Sequence, residues 1–373
     1  MAIAAIHTIP VLIPFDVDGP KQEFLGQPRS HIEALYLKVE TSDGYTGWGE
    51  AFGFNLWPVI RKAMDDFIAP FIIGRDENDI DALMTELRRR FHVFGRTGPV
   101  NYALSGLDIA LWDIAGKKAG KPLAELFGGA RRDSLPAYAS LMKYGEADAL
   151  ARNCAHAKDL GYSAVKIHES TVRLAQIARD SLGAGPGLMV DTNCAWTLEQ
   201  ACSYLPALQA MNLLWLEEPT WPPENLDNFR VLRERADIPL AAGENAATPW
   251  ELAAMSRSGL LDVVQPSVIK IGGISEMRAA YQALTPLSKT QGSARAQPIA
   301  HSPYFGPGLF ATLQLAAALE QESPLEKLFC TFEAHPYGDA IEVVNGRLRV
   351  PTGPGLGIDP DPQILQAFSV TQP

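Results

Sequence analysis

Leu188-Met189-Val190-Asp191, Leu213-Leu214-Trp215-Leu216-Glu217 and Ile238-Pro239-Leu240-Ala241-Ala242-Gly243-Glu244 are three short apolar runs, each ending on an acid. The acids are 217 − 191 = 26 and 244 − 217 = 27 residues apart. That interval matches one strand-plus-helix unit of a (β/α)8 barrel, in which roughly 250 residues divide into eight units of about 30. If each run is a parallel strand, the three carboxylates converge on one rim. Converging carboxylates repel unless a positive charge lies between them. A hard, oxygen-seeking Mg2+, one per subunit and held by Asp191, Glu217 and Glu244, is the simplest expectation.

Working outward, short apolar runs alternate with longer helical patterns from Leu135 onward. Strands are expected at 135–140, 163–168, 187–191, 213–217, 238–244, 262–267, 295–301 and 325–330. Helices are expected at stretches such as Asp148–Leu160, Leu198–Ala210, Asn225–Ala236, Trp250–Ser258 and Ser275–Leu284. Eight strands alternating with helices predict a TIM-like barrel over residues 131–345. Residues 1–130 read as an α+β capping domain. There Ala34–Glu40 alternates at period two, Asp43-Gly44 makes a hairpin turn into Tyr45–Glu50, and helical patterns cover Pro58–Ile68, Ile80–Phe91 and Tyr102–Lys118. Gly128–Asp133 breaks the periodicity and is the linker. Residues 346–373 are expected to lead the tail back onto the capping domain.

Length and composition fit two soluble globular domains: 373 residues, 47% hydrophobic and 20% charged. A net charge of −11 argues against nucleic acid and anionic membrane surfaces as partners. It leaves room for a small carboxylate substrate, because a bound cation reverses the local field. The four cysteines form no CxxC pair and read as free thiols of a cytoplasmic protein. Met1–Phe15 is short, lacks a basic flank and is interrupted by prolines, so it reads as a strand and not a signal peptide. A homo-oligomeric assembly is expected.

Other polar groups fall on the same rim. Lys166 and His168 share one face of the second strand by alternation. His301 ends the seventh strand and Glu326 lies on the eighth. A cation flanked by these groups suits removal of a proton next to a carboxylate. A neutral imidazole at His168 or His301 accepts that proton, and the cation stabilises the developing charge. Each residue also has a plain reading. A lone acid after a strand is usually a helix cap, a lone histidine a hydrogen-bonded core group, and Glu326 a partner of Lys327. The shared register favours the site. Glu218 points away from Glu217 by alternation and reads as structural. Asn193, Lys270 and Ser140 are candidate substrate contacts, and the Gly19–Ser30 stretch is either a cover over the substrate or a mobile loop.

Gly47-Trp48-Gly49-Glu50, Leu107–Asp113, Leu126–Gly129, Asp191-Thr192-Asn193, Leu216–Pro219, Gly243-Glu244-Asn245 and Lys270–Gly273 occur in this order along the chain. In these motifs the chain resembles the mandelate racemase branch of the enolase superfamily, over nearly its whole length. That superfamily uses a Lys or His base with Mg2+. The resemblance implies metal ligands at Asp191, Glu217 and Glu244, and catalytic groups at Lys166, His168, His301 and Glu326. The usual second lysine of strand two is His168 here. The aspartate that orients the strand-seven histidine falls on Ser267. The activity implied is an acid-sugar dehydratase, with a racemase or epimerase as the alternative and a non-catalytic metal- and anion-binding barrel as a remote one.

Overall fold

The computed structural model describes residues 2–24, 26–76, 78–284 and 296–370. The capping domain is an antiparallel sheet of Ile3–Asp16, His31–Thr41 and Thr46–Ala51, with the helix Pro99–Ala119 against it. That helix begins at Pro99, whose missing N–H costs nothing in a first turn, and ends at Gly120, whose φ of +64° suits glycine. Gly49 is required by close approach: a Cβ there would lie 1.9 Å from the Gly106 carbonyl oxygen of this helix.

Eight parallel barrel strands run through Ser134–Leu141, Ala164–Ile167, Gly187–Asp191, Trp215–Glu217, Leu240–Ala242, Val263–Val264, Gln297–Pro298 and Leu325–Phe329. The first seven pair in sequence order, and the eighth pairs back onto the first. Ser302 links the seventh and eighth: its N–H donates to Glu326 Oε2 (3.1 Å) and its hydroxyl to the Glu326 carbonyl (3.2 Å). Each expected strand is present: the first is slightly longer than expected, the third matches its expected bounds and the other six are shorter, and residue 295 lies outside the described residues. Threonines cap three of the connecting helices, at Thr171, Thr197 and Thr248. Thr197 and Thr248 each form a capping box, with Gln200 and Glu251.

Alternation sorts the strand residues. Tyr138, Met189, Trp215, Ala241, Val263 and Ile299 fill the barrel interior, while Val165, Ile167, Leu188, Val190, Leu216 and Leu240 face the helices. Lys166, Asp191 and Glu217 have the inward parity, two residues on from Ala164, Met189 and Trp215.

The tail differs from expectation at its start. Arg347–Arg349 pairs antiparallel with the first barrel strand, so these residues stay on the barrel. The return to the cap begins beyond them. The Leu356 N–H donates to Asp113 Oδ1 (2.8 Å), and Val370 N–H to the Pro10 carbonyl (3.0 Å). Thr331–Phe332, just past the last barrel strand, also joins the cap sheet. No helix among the described residues is long and apolar enough to cross a membrane.

Candidate active site

Asp191, Glu217 and Glu244 bring one oxygen each within 4.8 Å of one another. Asp191 and Glu217 sit at neighbouring strand ends in register. Glu244 lies two residues beyond its strand, past Gly243, whose φ of +120° turns the chain inward. Each carboxylate is held from behind. Asn193 donates to Asp191 Oδ1 from its backbone (2.8 Å) and its amide (3.1 Å). Trp215 Nε1 donates to Glu217 Oε2 (2.8 Å). Lys270 Nζ (3.1 Å) and the Asn245 amide (3.1 Å) donate to Glu244 Oε1.

Lys166 lies beneath this rim and is fully buried. Its Nζ is 2.8 Å from Glu326 Oε1, 3.0 Å from Glu217 Oε1 and 3.6 Å from Asp191 Oδ2. Burial opposes its charge, but Glu217, Glu326 and Asp191 outweigh that and hold its pKa well above the ordinary lysine range.

The two histidines stand on opposite sides. His168 Nε2 is 3.3 Å from Asp191 Oδ2, and its Nδ1 is 2.5 Å from the Leu141 carbonyl. That carbonyl only accepts, so Nδ1 carries the proton. Desolvation works against a charge on His168, yet Asp191 outweighs it and raises its pKa. His301 Nε2 is 3.1 Å from Glu244 Oε2.

Burial alone would raise the pKa of Asp191 and of Glu244. His168 and Lys166 reverse this for Asp191, and His301 and Lys270 for Glu244, so both lie below the usual carboxylate range. Glu217 is pushed up to about 8 by burial and then by Asp191. Such crowding calls for a cation. Four carboxylates, Asp191, Glu217, Glu244 and Glu326, face two lysines, Lys166 and Lys270, so acids outnumber the lysines that meet them. The oxygen-only donor set and its span suit Mg2+, whose opposite octahedral ligands lie about 4.2 Å apart. These residues therefore fit a hard divalent cation.

Three expectations change on the structure. Ser140 has no exposed surface to offer a substrate; its hydroxyl donates to Glu326 Oε1 (2.7 Å). Glu326 is itself 1% exposed. Burial would raise its pKa, but Lys166 and His301 outweigh burial and hold it below the usual carboxylate range, and its oxygens meet Lys166 Nζ (2.8 Å) and the Ser302 N–H (3.1 Å). Alternation does not apply to Glu218. The strand has ended, its φ is +40°, and its carboxyl is pushed up to about 9 by burial and by Glu244, Asp191 and Glu217. Asn193 and Lys270 lie at the site, where both brace metal-ligand candidates.

The sequence reading also missed the cap's contribution. The Phe52 ring lies 5.1 Å from Lys270 Nζ. Phe52 stacks on Phe54 at 6.0 Å, Phe24 meets Phe54 edge-on at 4.8 Å, and Arg29 lies 4.1 Å over Phe54. Phe24 and Arg29 belong to the hairpin Gln22–Phe24/Gln27–Arg29, so the Gly19–Ser30 stretch is partly a hairpin leaning on this aromatic wall.

Comparison with known proteins places these features. Residues 27–128 match the mandelate racemase/muconate lactonizing enzyme N-terminal domain, and residues 149–364 the enolase C-terminal domain-like family. The chain is 31% identical to arabinonate dehydratase of Saccharolobus solfataricus over 87% of this chain and 88% of that protein. It is 30% identical to D-galactarolactone cycloisomerase of Agrobacterium fabrum over 100% of both. A racemase from Streptomyces coelicolor A3(2), solved with bound magnesium, superposes with a TM-score of 0.84 at 25% identity, covering 99% of this chain and 100% of that one. Barrel, carboxylate rim and capping domain together make the chain a member of the mandelate racemase/muconate lactonizing enzyme family within the enolase superfamily.

Proposed function

We propose that the protein is a Mg2+-dependent lyase. It removes the proton α to the carboxylate of a small hydroxy acid of the acid-sugar class and expels a β-hydroxyl as water, leaving a 2-keto acid. The observation that carries this reading is the pair of imidazoles. Each points Nε2 at a different carboxylate of one metal-binding cluster, from strands on opposite sides of it. Mg2+, when bound, supplies positive charge to the substrate carboxylate as negative charge develops there.

The chain's own groups divide the remaining work. His168 has its Nδ1 proton fixed on the Leu141 carbonyl, so its neutral form presents a lone pair at Nε2. It takes the α-proton, and the C–H pair becomes the enediolate double bond. Protonated His301 gives its Nε2 proton to the β-hydroxyl, which leaves as water with the C–O pair. The resulting enol becomes the 2-keto acid. Lys166 stays out of proton transfer, since it is buried and bound to carboxylates. Phe52 and Phe54 form an apolar wall near the mouth. Similarity to arabinonate dehydratase supports the elimination.

Similarity over both full lengths to a cycloisomerase favours an isomerase as the second reading. A panel of mono- and diacid sugars, incubated with Mg2+ and assayed for 2-keto acids, tests the first. Deuterium entering the α-position from D2O without loss of water selects the isomerase. Neither product nor exchange across the panel removes both.

A further inference from the structure

We propose that Tyr304, backed by Ser267, is the positioning residue for His301. The aspartate expected behind this histidine is absent, since position 267 is serine. Tyr304 supplies the reach that serine lacks. Its Oη lies 3.2 Å from His301 Nδ1 and is in close hydrogen-bond contact with Ser267 Oγ. The His301 and Tyr304 rings meet edge-on, with centroids 5.8 Å apart. All three residues are buried.

The backbone fixes the arrangement. The His301 N–H donates to the Pro266 carbonyl (3.1 Å), and the Tyr304 N–H to the Ser302 carbonyl (2.7 Å). Ser302 is pinned by Glu326. The helix Pro307–Ala318 begins three residues after Tyr304. The phenol is thus clamped between the end of strand six and the loop that carries the histidine.

A phenol can both donate and accept. It remains a partner for Nδ1 whether the imidazole is neutral or protonated, and Ser267 can do the same for the phenol. Burial pushes the Tyr304 phenol well above its ordinary range, so it stays a neutral O–H. The two histidines are therefore held differently. His168 has an acceptor only behind Nδ1, and His301 has a reversible hydroxyl pair.

That His301 reacts with substrate rests on the function proposed above; that Tyr304 holds its ring does not. The test has two readouts on the full-length, Mg2+-loaded protein with 15N-labelled histidine, His301→Gln assigning the signal. In the parent protein, the His301 Nδ1 resonance is expected to carry the shift of a ring nitrogen hydrogen-bonded to a hydroxyl. In Tyr304→Phe it is expected to move away from that value, and in Ser267→Ala to move less. With a turned-over substrate, Tyr304→Phe is expected to lower kcat roughly 10–100-fold with KM within about threefold, as misplacement of a reacting group does. Unchanged His301 resonances in both folded variants would overturn the proposal, as would an unchanged kcat. Shifted resonances without any substrate found would instead count against the proposed function alone.

Discussion

Replacing Lys166 by methionine isolates the one charge that underlies the site. Its ammonium sits 2.8 Å from Glu326 and 3.0 Å from Glu217. At an effective dielectric constant of about 20, each such pair attracts by about 5–6 kcal/mol. Desolvation offsets most of this, and removing one partner of a buried ion pair costs about 3–5 kcal/mol. An unfolding entropy of about 2.1 cal/mol/K per residue gives about 0.8 kcal/mol/K for this chain, so the loss corresponds to a fall in Tm of roughly 4–6 °C. The assay is thermal unfolding of the metal-free and Mg2+-loaded protein, Lys166→Met beside the parent. Mg2+ is expected to narrow the gap, because it neutralises carboxylates that the lysine no longer faces. A metal-free Tm within 1 °C of the parent would refute the idea that Lys166 compensates the carboxylates, and so would a gap that Mg2+ leaves unchanged.

Three further outcomes are expected. Mg2+ at about 100 times its Kd should stabilise the protein by about 2.7 kcal/mol, an effect lost in Asp191→Asn and in chelator; a Tm indifferent to Mg2+ would count against the triad. Asp113 accepts from the Trp48 N–H (2.9 Å) and the Leu356 N–H (2.8 Å) and meets Lys117 (2.8 Å), tying cap sheet, helix and tail together. Asp113→Ala should therefore cost about 3 kcal/mol or more in denaturant unfolding, and a cost under 1 kcal/mol would show that the tail docks without it. Burial raises Glu50 from 4.5 to about 7. A raised acid binds its proton more tightly in the folded state, so its stabilising contribution is present below pH 4.5 and is lost as pH rises to about 7. Glu50→Gln should remove a decline on the order of 2–3 kcal/mol between pH 4.5 and 8, and parallel pH–stability curves for variant and parent would exclude it.

What could be read from the sequence is what strand geometry encodes. A period of two fixes the inward face, so Lys166, Asp191 and Glu217 follow from their neighbours Ala164, Met189 and Trp215. Glu244 fits the spacing but not the alternation, because Gly243 redirects the chain by a backbone angle that the strand pattern does not carry. The same blindness covers Glu218, which has a left-handed φ past the strand end, so that alternation no longer sets its side. Burial was equally hidden: Ser140 and Glu326 read as rim groups, yet their mutual hydrogen bond closes them off. The helix Pro307–Ala318 shows no polar face in sequence because it is buried almost all round. Tyr304 and the Phe24–Phe52–Phe54 wall belong to loops, and only tertiary contact across 37 residues in one case, and across domains in the other, brings them to the site.

Depth orders the chemistry of this site. Lys166 and Glu217 have no side-chain exposure beyond 1%, Glu244 has 14%, and His168 has 20%. The fixed charges thus lie deepest, where a low dielectric makes each contact strong and each unpaired group costly. Of the two histidines proposed to exchange protons, His168 lies nearer the mouth, while His301 is about as deep as Glu244. A lysine at position 168 would put a second strong cation beside Asp191 and weaken the pull on the metal. An imidazole there can be neutral while the metal is held and still accept a proton. The departures at positions 168 and 267 therefore act in the same direction, each placing a group that can be neutral where the resemblance implies a charged side chain.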